Sequence, residues 1–153
     1  VQLFPDEDRS EKPYFFEDDL NGKFYIEIQE EDNNDTDADY VDVYFTFPWS
    51  EPLVDGDFYI FGGLTNWQLE ERNRMVYDMD SRSYKLSLTL KQGYYNYHIA
   101  FAPAGSDIAD PGYVEGNYYE TENDYIILIY HYGTTSRYQR IIGYQIANSL
   151  RRD

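Results

Sequence analysis

The run Tyr84-Lys85-Leu86-Ser87-Leu88-Thr89-Leu90-Lys91-Gln92-Gly93-Tyr94-Tyr95-Asn96-Tyr97-His98-Ile99-Ala100-Phe101 decides the fold class. Apolar and polar side chains alternate, the pattern breaks at Lys91-Gln92-Gly93, and alternation resumes. A period of two belongs to β-strands, where successive side chains leave opposite faces of a sheet. Tyr95, Tyr97, Ile99 and Phe101 therefore share one face of the second strand, and Tyr94, Asn96, His98 and Ala100 the other. This places His98 outward, beside Asn96. The glycine-containing break predicts a turn, so the two strands read as part of a meander.

Upstream, Val41, Val43, Phe45 and Phe47 form one face of a strand that Pro48 stops. Residues 52–56 supply a turn into Phe58-Tyr59-Ile60-Phe61-Gly62, which predicts a hairpin with a loop of several residues. Met75-Val76-Tyr77, the polar turn at residues 78–82 and the strand at 84–90 predict a second hairpin. Phe24, Ile26 and Ile28 alternate with Tyr25, Glu27 and Gln29, as in a strand with one wet face. Residues 30–39 are carboxylates and amides that bury nothing and read as a loop. Downstream of a loop at 102–112, residues 125–132 are apolar on both faces, which suits a strand covered on two sides. Residues 138–146 read as a closing strand.

Strands recurring about every dozen residues, with no helical window of useful length, predict an all-β chain: an immunoglobulin-like, early-set β-sandwich of about 7–8 antiparallel strands. Residues 1–22, with Pro5, Pro13 and Gly22 among unpatterned charges, read as an extended acidic lead-in, and residues 23–153 as the sandwich domain. The 18 Tyr and 9 Phe against 2 Met in 153 residues agree with strands over helices. The chain opens on Val1 with no basic segment followed by an apolar core, and is read as a piece of a longer protein.

With 29 Asp and Glu against 12 Lys and Arg, the formal charge is −17. Such a chain repels nucleic-acid phosphates and anionic lipid, so no nucleic-acid partner is expected. The longest apolar run, Ile126-Ile127-Leu128-Ile129-Tyr130, is far too short for a spanning helix, and no transmembrane segment is expected. The absence of cysteine removes thiolate chemistry and cysteine-ligated zinc. Calcium in a helix–loop–helix site starting at Asp32 would need Gly where Asp37 stands and Glu where Val43 stands, so the acidic loop reads as a solvated linker and no metal is assigned. His98 and His131 lie on predicted strands with no serine elbow or metal spacing around them, so no catalytic residue, cofactor or enzymatic activity is expected.

The most specific local stretch is Phe58-Tyr59-Ile60-Phe61-Gly62-Gly63-Leu64-Thr65-Asn66-Trp67. A strand ends in glycines, turns, and presents Asn66 and Trp67 at the corner. Trp67 has two readings there: packing over the edge of the sandwich, or stacking on a sugar ring.

Together with Gly93-Tyr94-Tyr95-Asn96-Tyr97-His98-Ile99, this stretch resembles the glycogen-binding, or family 48 carbohydrate-binding, modules, which are early-set sandwiches. That resemblance implies glycan binding through Asn66, Trp67, Asn96 and His98, with Asn123 a further positional candidate. His98 stands near the position of a sugar-binding lysine, and the second tryptophan of the glycan-binding members has no counterpart.

A longer resemblance runs from about residue 20 to the C-terminus. It is carried by Ala38-Asp39-Tyr40-Val41, Tyr59-Ile60-Phe61-Gly62-Gly63-Leu64-Thr65-Asn66-Trp67, Asn73-Arg74-Met75, Leu88-Thr89-Leu90-Lys91-Gln92-Gly93-Tyr94-Tyr95-Asn96-Tyr97, Glu115-Gly116-Asn117 and Glu120-Thr121-Glu122-Asn123-Asp124-Tyr125. These resemble a Bacteroidota family, formerly a family of unknown function, that comprises the plug protein of the type IX secretion translocon. The resemblance implies a non-catalytic protein-binding domain, periplasmic and associated with the outer membrane. Its implied partners are a large outer-membrane β-barrel translocon protein and an N-terminal domain of the same protein. Tyrosine is large, rigid and polar at one tip, so Tyr94, Tyr113, Tyr118, Tyr119 and Tyr132 are the interface candidates, each with sandwich packing as the competing role. A structural spacer is a third reading.

Overall fold

A computed structural model of the chain describes residues 1–13, 24–27, 38–118, 120–121, 123–133 and 138–149. The acidic loop at 30–37, Ile28 and Tyr119 lie outside the described residues. The strands are β1 (Phe24–Ile26), β2 (Tyr40–Pro48), β3 (Gly56–Gly62), β4 (Val76–Asp78), β5 (Ser83–Lys91), β6 (Gly93–Tyr95), β7 (Tyr97–Pro103), β8 (Asp124–His131) and β9 (Arg140–Asn148). One short helix, α1 (Gly112–Glu115), and two 3₁₀ turns, Gly63–Thr65 and Glu71–Asn73, complete the described elements. The protein is all-β, and every strand pair is antiparallel. The chain divides into two compact units, Val1–Asn117 and Tyr118–Asp153.

In the first unit β2-β5-β4 form one sheet, β3-β7 a second and β1-β6 a third. Phe45 and Phe47 of β2 meet Phe58 and Ile60 of β3, Tyr84 of β5 and Ile99 and Phe101 of β7 in one buried cluster. The ring of Phe58 is central, edge-on to Phe47 at 5.2 Å and to Tyr84 at 5.0 Å. Two sheets thus face each other across an aromatic core, the arrangement of a β-sandwich. The 78–82 turn joins β4 to β5 as the sequence predicts, with Tyr77 opposite Tyr84.

Two expected pairings are corrected. β2 and β3 do not form a hairpin: β2 pairs with β5, and β3 with β7. Side by side in one sheet, Phe45, Phe47, Phe58 and Ile60 would all need an additional layer to cover them. Crossing between sheets after Pro48 lets these faces cover each other. Nor do β5 and the following strand form a meander. Gly93–Tyr95 pairs with β1, and after Asn96 the chain enters the opposite sheet as β7.

Part of the acidic lead-in is tied down. Gln2 bridges Tyr44 in parallel, the amides of Leu3 and Asp6 donate to the carbonyls of Tyr44 (3.2 Å) and Thr46 (2.8 Å), and the Arg9 amide donates to Val114 O at 2.8 Å.

In the second unit β8 and β9 form a hairpin with a bulge between Ile129 and Tyr130. The strand expected to be covered on two sides is instead exposed at all eight residues. Its apolar pattern records what these side chains require, and no described segment of its own unit other than β9 pairs with it.

Candidate functional site

Trp67 is held at a corner by the backbone around it. Gly63–Thr65 forms a single 3₁₀ turn, Thr65 Oγ1 donates to Gly62 O at 3.1 Å, and the amides of Asn66 and Trp67 donate to Gly63 O and Gly62 O, each at 3.1 Å. Asn66 (φ 52°) and Trp67 (φ 57°) are both left-handed, a conformation Asn tolerates and Trp rarely adopts. The next segment is fixed by Asn73, wholly buried, whose Nδ2 donates to Ile60 O (2.9 Å) and Gln68 O (2.8 Å) while its Oδ1 accepts from the Glu70 amide (2.9 Å).

The result is an indole that is 46% exposed, with Phe61 edge-on at 5.5 Å and His98 tilted at 6.1 Å. His98 leaves its strand on the face away from Ile99 and Phe101, as the alternation predicts, but it is not open to solvent. Trp67 and Phe61 cover it, leaving the imidazole half-buried, with no hydrogen-bond partner for Nε2 among the described residues. Desolvation pushes the His98 pKa below its ordinary value, which favours the neutral ring. Asn66 is exposed and Asn96 half-buried, both within this corner region of the first unit. Asn123 belongs to the second unit, where its Nδ2 donates to Thr121 O at 3.0 Å.

A second surface lies on the β1-β6 ladder. Tyr25 and Tyr94 sit directly opposite each other, 55% and 60% exposed. On the other face of the same ladder Phe24 and Tyr95 stack at 5.4 Å, and Tyr95 donates from its hydroxyl to Lys91 O at 2.8 Å. Gly93 permits this pairing: a Cβ there would collide with the carbonyl oxygen of Tyr25 and lie 3.0 Å from Ile26 Cα. Tyr25 was not singled out from the sequence, because only the register of β1 on β6 reveals it as the neighbour of Tyr94.

The remaining tyrosine candidates differ among themselves. Tyr113 stacks on Phe101 at 4.5 Å and also lies against Trp49 and Phe58, which gives it a packing role. Tyr118 is half-buried, and its carbonyl accepts from the Thr121 amide. Tyr132 is exposed just beyond the end of β8. Among the described residues no group of three or more His, Asp or Glu is placed to hold a metal ion, and no helix is long and apolar enough to cross a membrane.

Fold and surface together define an all-β domain presenting aromatic patches at a strand corner and on a short ladder. No protein-family profile and no curated protein matches the chain. Among solved structures it is similar to a hypothetical protein from Parabacteroides merdae ATCC 43184, known from a crystal structure at 2.30 Å resolution. The two share 38% sequence identity with a TM-score of 0.90 over 97% of this chain and 37% of that one. The chain thus spans well under half the length of that relative.

Proposed function

We propose that this chain is a non-catalytic protein-binding domain with an immunoglobulin-like, early-set sandwich. On its resemblance to the plug family, we place it in a periplasmic subunit that closes an outer-membrane secretion translocon. The observation that carries the binding role is the exposed Tyr25–Tyr94 pair on a ladder fixed by Gly93. Paired tyrosines bring large contact area with few rotatable bonds, so little conformational entropy is lost on binding.

The test is co-purification from the native host, with the tag on this domain and the outer membrane solubilised gently. Recovery of the large translocon barrel, lost in a Tyr25→Ala, Tyr94→Ala double variant of unchanged melting temperature, is the expected result. Equal barrel recovery after removal of this domain would assign it the spacer role.

A second reading, glycan binding, is favoured by the half-exposed Trp67 beside His98, whose Nε2 has no hydrogen-bond partner among the described residues. An indole face and a neutral imidazole are groups that stack on and hydrogen-bond to sugar rings. Titration with linear glucans should then change tryptophan fluorescence in the wild type but not in Trp67→Ala. An unchanged wild-type signal rejects this reading.

A further inference from the structure

The β8-β9 hairpin presents apolar side chains on both faces. Directly opposed residues of an antiparallel pair share a face. One face therefore carries the pairs Ile126–Ile146, Leu128–Tyr144 and Tyr130–Ile141, whose six side chains are between 44% and 73% exposed. The opposite face carries Tyr125, Ile127 and Ile129, all more than half exposed. Asp124 and Arg140 are the only Asp, Glu, Lys or Arg in the two strands, and both stand at strand ends. In a chain of net charge −17 this is a long stretch almost without charge.

An isolated two-stranded hairpin is at best marginally stable in water, and strands apolar on both faces belong between two covering layers. A second copy of this chain fits poorly as the cover. It would bury one face of each hairpin and leave the other wet, and two bodies of −17 repel each other. A stable interface takes roughly 800 Å² from each partner, which favours a cover that takes in both faces of the hairpin over one that takes in a single face. The occupant must therefore supply apolar β-surface to both faces. A related chain of which only 37% is matched here has ample length outside the match to supply it.

We propose that β8-β9 is a docking element clamped between apolar β-layers contributed by further segments of the same polypeptide, in a chain built like the Parabacteroides merdae protein. The inference is independent of the Tyr25–Tyr94 surface, which lies in the other compact unit.

The experiment compares amide hydrogen exchange and hydrophobic-dye binding in two proteins. One is the 153-residue chain, and the other is a chimera in which it replaces its counterpart in the Parabacteroides merdae protein. The expected result is rapid exchange at residues 124–131 and 140–148 with dye binding in the isolated chain. In the chimera these amides should exchange at least tenfold more slowly, dye binding should disappear, and Leu128→Lys should restore both rapid exchange and dye binding. Equal exchange in the two proteins overturns the proposal. So does a concentration-dependent dimer of the isolated chain that protects the hairpin, which would make a second copy the occupant. If the chimera does not fold, the same measurement on the aligned hairpin of the intact Parabacteroides merdae protein decides between protected and exposed.

Discussion

The hydroxyl of Tyr97 donates to both carboxylate oxygens of Asp6, at 3.1 and 3.3 Å, and joins residues 91 positions apart. It fastens the N-terminal segment to the first residue of β7. Burial raises the Asp6 pKa above 3.8, with the Tyr97 hydrogen bond lowering it in part. Burial likewise raises Glu115 above 4.5, aided by Asp6 and Asp8 and opposed by Arg9.

A pH dependence follows from these two carboxyls. Between the ordinary values and the raised ones the folded state binds more protons than the unfolded state, so this contribution to stability is present below pH 3.8–4.5 and is lost as pH rises through the folded values. Urea midpoints measured at steps of pH upward from about 4 should fall more steeply in the wild type than in Asp6→Asn. Parallel curves would show that Asp6 titrates as it does in the unfolded chain.

Asn73→Ala should be among the costliest single changes in the first unit. It removes three hydrogen bonds and leaves Ile60 O, Gln68 O and the Glu70 amide seeking partners. A loss of about 2–4 kcal/mol is expected from denaturant unfolding. A value below about 1 kcal/mol would mean that water replaces the amide freely.

Gly93→Ala places a methyl group against the Tyr25 carbonyl and Ile26 Cα, so β1 must separate from β6. The expected outcome is a loss of about 2 kcal/mol together with faster amide exchange at residues 24–26. Retained protection there would show that the ladder can widen without parting.

Trp67→Ala uncovers His98. The imidazole pKa should rise toward its ordinary 6.5, read by NMR titration of the ring protons, because its depression comes from desolvation. A stability loss of about 1–2 kcal/mol is expected, less than for a fully buried Trp. An unmoved His98 titration would assign its burial to Phe61 rather than to Trp67.

The all-β class was legible in the alternation at 84–101, and the β4-β5 hairpin in the polar turn that separates its strands, because both depend on neighbours close in sequence. The Trp67 corner was legible in its glycines. The partners of β2, β3 and β7 were not, since alternation states which face of a strand is apolar and not which strand lies beside it. The cover over His98 depends on a loop returning from 31 positions earlier, and Tyr25 joins Tyr94 only through the β1-β6 register. For β8, the sequence by itself determined that both faces are apolar; the tertiary structure decided that both stand exposed. The physical reason is the same throughout: periodicity encodes the burial a segment requires, whereas only long-range packing determines what meets that requirement.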